Sequence, residues 1–169
     1  MLFDLSDIIK KPETHEKLEL FIDAKDADFM GEQYKFIEPI HLLGTIGNNS
    51  KNLEISAEAT AKMQTRCAKC AKEIEVDIKF PVTEILVKGE DNIDNPDVIV
   101  YEGHEVDITE IVLNSFFMNV EGRYLCREDC KGLCPVCGCD RNETECTCDT
   151  EVIDPRWSKL AEIMKDTTT

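Results

Sequence analysis

Seven of the nine cysteines of this 169-residue chain fall between Cys126 and Cys148, in the string CREDCKGLCPVCGCDRNETECTC. The other two form a Cys67-Ala68-Lys69-Cys70 pair far upstream. Thiolate is a soft anionic ligand, and four of them at tetrahedral geometry suit zinc. Cys134-Pro135-Val136-Cys137-Gly138 reads as a zinc knuckle, two ligands separated by two residues with a glycine that lets the backbone turn beneath the metal. Cys146-Thr147-Cys148 returns two more, giving a local site of Cys134, Cys137, Cys146 and Cys148. Cys126 and Cys130 are then left over, as are Cys67 and Cys70. Joined, they make a second four-cysteine site that closes a loop of more than fifty residues. Cys139 remains as a spare thiol. It is too close to Cys137 to share its metal comfortably, although Cys139 in place of Cys137 is an alternative ligand choice.

Two rival readings of the thiols stand beside this one. Disulfides suit secreted domains, but an odd count and the lack of any secretory signal argue against them. Cys130, Cys134 and Cys137 also match the spacing of a radical-SAM iron–sulfur motif. That chemistry needs a large barrel around its cluster and usually carries the motif near the chain start. Thiolate number alone does not choose between zinc and iron.

The formal net charge is −16, and two four-thiolate zinc sites would take it to about −20. Such a chain does not grip phosphate backbones by general electrostatics, though local RNA contact or a basic protein partner stays open. Solubility is the plainer reading of most of these acids. The start MLFDLSDIIKK is broken by Asp4 and Asp7 and is not expected to be a signal peptide. No stretch reaches the length of a membrane span. A reducing, cytoplasmic setting is expected, which suits thiols held by metal.

Along the chain, residues 1–11 suit a short strand and a helical turn ended by Pro12. Leu18, Leu20 and Ile22 alternate as one face of a strand. The acidic segment 23–33, with Gly31, reads as a loop. Residues 34–46 resume an apolar pattern that Pro39 should interrupt. A turn is expected over residues 47–52. Leu53, Ile55, Ala57, Ala59, Ala61 and Met63 then alternate strictly, which outweighs the helical propensity of their alanines. Ile74, Val76, Ile78 and Phe80 form the clearest strand, so Cys67 and Cys70 should sit at a hairpin tip. Residues 82–88 extend the sheet, 89–97 read as an acidic loop, and 98–103 as a short strand. Asp107 caps a helix to about Met118, with Glu110 as the capping-box partner and Val106 stapled to Ile111. Its face of Ile108, Ile111, Val112 and Ser115, widened by Leu113, Phe116 and Phe117, is expected to be core. Asp154-Pro155 starts a short terminal helix carrying Trp157, Leu160, Ala161 and Met164. His15, His41 and His104 are far apart and read as surface or core residues. No P-loop, dinucleotide-binding glycine pattern or Gly-x-Ser-x-Gly is present.

Three of these features occur together in one family. Thr65-Arg66-Cys67-Ala68-Lys69-Cys70 closes a strand. VDITEIVLNSFFMNV forms an acidic-start helix. Cys126-Arg127-Glu128-Asp129-Cys130-Lys131-Gly132-Leu133-Cys134-Pro135-Val136-Cys137-Gly138 is followed by Asn142, Cys146-x-Cys148 and Asp154-Pro155-Arg156. From about residue 50 onward the chain resembles the YceD family, the large ribosomal RNA subunit accumulation proteins of bacteria and plastids. Some members lack the Gly-Leu-Cys-Pro module but keep the upstream Cys-x-x-Cys, which suits one site joining the sheet to the C-terminal segment plus an optional local site. The departure is Cys139, which leaves open whether Cys137 or Cys139 binds metal. The resemblance implies a non-enzymatic role in ribosome biogenesis, promoting accumulation of large-subunit (23S) rRNA. It also implies an rRNA precursor or a large-subunit ribosomal protein as partner, with no membrane and no small-molecule substrate.

The expected fold is α+β. An antiparallel β-sheet or partly closed barrel with a buried helix near 107–118 and a zinc knuckle at 67–70 spans residues 1–120. A Cys-rich zinc module with a short terminal helix spans 121–169. Two zinc ions are expected on Cys67, Cys70, Cys126, Cys130, Cys134, Cys137, Cys146 and Cys148. Arg123, Arg127, Lys131 and Arg141 offer a local basic face, outnumbered by Glu121, Glu128, Asp129, Asp140, Glu143 and Glu145. No catalytic residue is apparent. The alternative is a metal-responsive or redox thiol protein using the Cys-x-x-Cys pairs. A redox enzyme would lack the βαβ context such motifs usually have.

Overall fold

The strict alternation of residues 53–66 produces the strand on which the fold is built. In a computed structural model, which describes residues 1–24, 27–29, 32–89 and 97–149, this strand is β6 (Leu53–Arg66). Ahead of it come β1 (Leu2–Asp4), α1 (Ser6–Ile9), β2 (Thr14–Ile22), β3 (Ala27–Phe29), β4 (Glu32–Phe36) and β5 (Ile40–Asn48). After it come β7 (Glu73–Lys88), β8 (Ile99–Tyr101), β9 (Glu105–Asp107) and α2 (Ile108–Asn119). The chain divides into two compact units. One is Met1–Arg66 with Glu73–Tyr124; the other is Cys67–Lys72 with Leu125–Thr169.

In the first unit β6 pairs along one side with β7, antiparallel from Leu53↔Leu86 to Arg66↔Glu73. Its other side is shared. β5 covers Leu53 to Thr60, and β4 covers Met63 and Gln64. Pro39 explains the division: it has no N–H to give to a ladder, so the chain breaks between Phe36 and Ile40 and resumes on the same edge. β2 lies outside β5, β3 outside β4, and β8 joins β7 in the one parallel pairing among the described residues. Among the described residues this path does not close on itself, so the sheet is open rather than a barrel. β1 and β9 form a separate two-stranded ribbon.

The buried side chains of β6 (Leu53, Ile55, Ala59, Ala61, Met63) are those that the alternation selects. Helix α2 covers this sheet face. The Asp107 carboxylate accepts from the Thr109 amide at 2.9 Å and caps the helix, and Ile108, Ile111, Val112, Ser115 and Phe116 are buried. Phe116 is the hub, with ring centroids 5.1 Å from Phe36, 5.3 Å from Tyr34 and 5.7 Å from Phe80, all near edge-to-face. Buried Asn48 donates to the carbonyls of Ile8 (2.9 Å) and Ile9 (3.2 Å), which satisfies the free end of α1.

Three expectations change. Segment 23–33 is not all loop: β3 pairs with β4, Ala27 opposite Tyr34, because backbone pairing and the burial of Ala27 outweigh its polar composition. Residues 73–88 are one strand running through Pro81, tolerated because among the described residues β7 has a second neighbour only at residues 86–88. The turn is also narrower than residues 47–52. Gly47 and Asn48 belong to β5, and the Asn49 side chain closes the turn by accepting from the amides of Lys51 and Asn52. The terminal helix from Asp154 and most of the 89–97 loop lie outside the described residues.

Candidate metal centre

Both cysteine groups belong to the second unit. The chain leaves β6 at Arg66 and re-enters β7 at its register partner Glu73, so the loop between them must be tight. It closes by Cys67 N–H to the Lys72 carbonyl (2.8 Å) and Ala71 N–H to the Cys67 carbonyl (2.9 Å). Ala71 takes a φ of 58° to allow this. The loop brings Cys67 and Cys70 to one side. Cys126 and Cys130 meet them, with Sγ–Sγ distances of 3.8 Å for Cys67–Cys130 and 3.7 Å for Cys70–Cys126. Cys67, Cys70 and Cys130 are buried and Cys126 is partly so.

The second group repeats this turn. Gly138 N–H donates to the Cys134 carbonyl at 2.8 Å, and Gly138 has a φ of 74°. The Val136 amide points at the Cys134 sulfur (3.4 Å), and the Cys148 amide at the Cys146 sulfur (3.5 Å). Cys146 approaches Cys134 to 3.4 Å and Cys137 to 3.6 Å.

In each group, Cys67, Cys70, Cys126, Cys130 and Cys134, Cys137, Cys146, Cys148, all four sulfurs lie within 4.8 Å of one another, and each group can hold a metal ion. The donor set fits one small dication. A tetrahedron with metal–sulfur bonds of about 2.3 Å has sulfurs about 3.8 Å apart, close to the separations here. The same distances are far beyond a sulfur–sulfur bond of about 2.05 Å, and all nine cysteines are free thiols. The radical-SAM spacing is split, since Cys130 lies in one group and Cys134 and Cys137 in the other.

The electrostatics of the thiols point the same way. Burial opposes ionisation of Cys67, but the amides of Cys126, Cys70 and Lys69 overcome it and hold the thiol down at about 6. Burial and the thiols of Cys130, Cys70 and Cys67 push Cys126 up to about 12. In the second group the Cys139 amide leads in lowering Cys137 to about 6. The thiols of Cys146 and Cys137, with burial, push Cys148 up to about 12. Four sulfurs this close cannot all be anionic alone; a dication among them removes that conflict.

Asn142 is the residue whose role at the site spacing did not reveal. Its amide donates to the Cys130 sulfur (3.4 Å) and to Asp140 (2.6 Å). Its oxygen accepts from the Lys131 amide and the Arg127 guanidinium, each at 2.8 Å. Behind the first knuckle, Leu133 N–H donates to the Lys69 carbonyl at 3.0 Å. Gly132, at φ +72°, leaves no room for a Cβ, which would sit 2.9 Å from that oxygen. Of the basic residues, Arg127 is engaged by Asp129 (3.3 Å) as well as Asn142. Cys139 stands outside the second group, with its carbonyl accepting from the Cys134 amide. His15, His41 and His104 belong to the first unit and to neither group.

The family profile described as "Large ribosomal RNA subunit accumulation protein YceD" matches residues 55–164. An uncharacterized protein of Mycobacterium tuberculosis is 24% identical over 119 residues, which cover 68% of this chain and 57% of that protein. The chain thus spans little more than half the length of these mycobacterial relatives. The uncharacterized protein YlbN of Bacillus subtilis is 19% identical over 167 residues, covering 98% of this chain and 97% of its own. No solved structure matches the chain significantly.

Proposed function

This chain belongs to the YceD family of large ribosomal RNA subunit accumulation proteins, and from that premise we propose that it is a non-enzymatic assembly factor promoting accumulation of the large-subunit (23S) rRNA. The observation that carries the reading is the profile match over residues 55–164, which spans both thiol groups. In this reading Cys67, Cys70, Cys126 and Cys130 hold one zinc ion and Cys134, Cys137, Cys146 and Cys148 a second. A zinc ion with four protein sulfurs has no open position for water or substrate, so its role is structural. The protein works in the reducing cytoplasm. Its partner is an rRNA precursor or a large-subunit ribosomal protein, and the −16 charge favours the protein.

The test is depletion of the protein in its host, followed by the ratio of large- to small-subunit rRNA. A selective fall in the large-subunit RNA is the expected result. An unchanged ratio would remove the assembly role. Binding titrations at several salt concentrations then separate the partners, because phosphate contact gives a steep salt slope.

A further inference from the structure

The first unit contains a cavity of about 480 Å³ lined by β8, the β1–β9 ribbon and the first turns of α2. Three observations give it a chemistry. Its apolar lining includes Ile99 and Ile111, with Leu2 at 65% exposure. Its acidic lining is Glu102, Glu105 and Glu110, none of which forms an ion pair with any described residue. Tyr101 also lines it. The residue is only 7% exposed overall, and its hydroxyl, which keeps access to solvent, makes no hydrogen bond with any described residue. A hydroxyl at the cavity wall with no protein partner is free to accept a hydrogen bond from an incoming cation. Asp107, also in the lining, is already engaged by the Thr109 amide and the Met1 amino group. The dipole of α2 would by itself attract an anion here, but Asp107 caps that end and the three free carboxylates reverse the sign.

We propose that this cavity receives a lysine or arginine side chain from a basic segment of a protein partner. The aliphatic stem lies on Leu2, Ile99 and Ile111. The cationic head is held by Glu102, Glu105 and Glu110, and the Tyr101 hydroxyl accepts one of its hydrogens. Long basic side chains combine these two surfaces, an apolar stem and a charged tip. Charge complementarity selects this occupant: the lining has free carboxylates and no free cation among the described residues. The inference does not rest on the ribosomal reading, since a basic partner of any origin satisfies it.

The experiment is fluorescence anisotropy of a labelled peptide of alternating arginine and glycine against the full-length, metal-loaded protein. Three variants accompany the wild type. Glu102→Gln/Glu105→Gln/Glu110→Gln removes the cavity charges. Glu54→Gln/Glu73→Gln/Asp77→Asn removes the same number of exposed acids elsewhere on the first unit. Tyr101→Phe removes only the hydroxyl. The cavity triple should weaken binding about tenfold or more and Tyr101→Phe a few-fold, with the control triple close to wild type. Equal loss in both triples would reduce the effect to general charge attraction and overturn the proposal, as would no binding at all. An unchanged affinity in Tyr101→Phe would overturn the hydroxyl contact. Spermidine binding with the same variant dependence, while the peptide fails to bind, would assign the cavity to a small polyamine and overturn the protein partner. Thermal unfolding of each variant, including Tyr101→Phe at a core position, confirms that the fold is intact.

Discussion

Ala71 and Gly138 occupy the same place in two separate knuckles. Each follows the second cysteine of a Cys-x-x-Cys pair, each has a left-handed backbone (φ 58° and 74°), and each donates its amide to the carbonyl of the first cysteine, at 2.9 and 2.8 Å. Only the second knuckle has the residue that this backbone favours. An L-residue in the left-handed region costs roughly 1–2 kcal/mol, partly offset by the larger entropy loss of glycine on folding. Ala71→Gly should therefore stabilise the metal-loaded protein by about 0.5–1 kcal/mol, and Gly138→Ala should destabilise it by about the same amount. Chelator-induced unfolding midpoints of the two variants measure this, and equal shifts in one direction would contradict the shared geometry.

Asn142 holds the first thiol group in shape from a distance of twelve residues along the chain. It donates to the Cys130 sulfur and accepts from the Lys131 amide, so its loss frees both ends of that segment. Groups that orient metal ligands typically contribute 10–100-fold to affinity. Asn142→Ala should make one metal ion of the two about tenfold easier to extract with a competing chelator while the other stays at wild-type affinity. Simultaneous weakening of both would mean that the two groups are not independent.

The strands β6 and β7 were legible because their period of two is unbroken over many residues and one face is buried. The cap at Asp107 was legible for a similar local reason: a short acid stands before a helical run. The grouping of thiols followed from counting, since the local knuckle at Cys134 uses four of them and leaves two pairs. What failed were features made by distant partners. β1 and β9 have three residues each and exist only because Leu2 meets Asp107 across the chain; three residues carry no period. The β3–β4 pairing was hidden by acidic composition, and the part of Asn142 by the fact that one side chain links four groups. The metal itself is not written in the spacing, because four thiolates suit zinc and iron alike.

Gly44 faces Ala57 across the β5–β6 ladder, and the two backbones approach too closely for any side chain. A Cβ on residue 44 would lie 2.3 Å from the Ser56 carbonyl oxygen and 2.4 Å from the Ala57 Cα, both backbone atoms of the central strand. Neither can rotate away. Gly44→Ala should destabilise the first unit by about 2 kcal/mol or more, whereas the exposed neighbour Thr45→Ala should change stability by no more than about 0.5 kcal/mol. Urea midpoints at constant slope measure both. A Gly44→Ala protein as stable as wild type would mean that β5 is further from β6 than the register implies.

Metal content per chain tests the thiol assignment directly. Cys130 and Cys134 are four residues apart but lie in different groups, so each serine substitution should remove one ion and spare the other. Elemental analysis of purified protein should then give two ions for the wild type and one for Cys130→Ser or Cys134→Ser. Cys139→Ser should keep both ions. Cys139 touches the second knuckle through its carbonyl, which accepts from the Cys134 amide at 2.8 Å, and through its thiol, which meets those of Cys137 and Cys146; a serine preserves the first bond and offers a hydroxyl for the second. A single ion in Cys139→Ser would show that its sulfur displaces one of the four assigned here. The first unit has its own core around Phe116. Stripping both ions should therefore abolish amide hydrogen-exchange protection over residues 125–148 and leave it in β5 and β6. Loss of protection in β5 and β6 at the same chelator concentration would make the metal sites a condition of the whole fold rather than of the second unit.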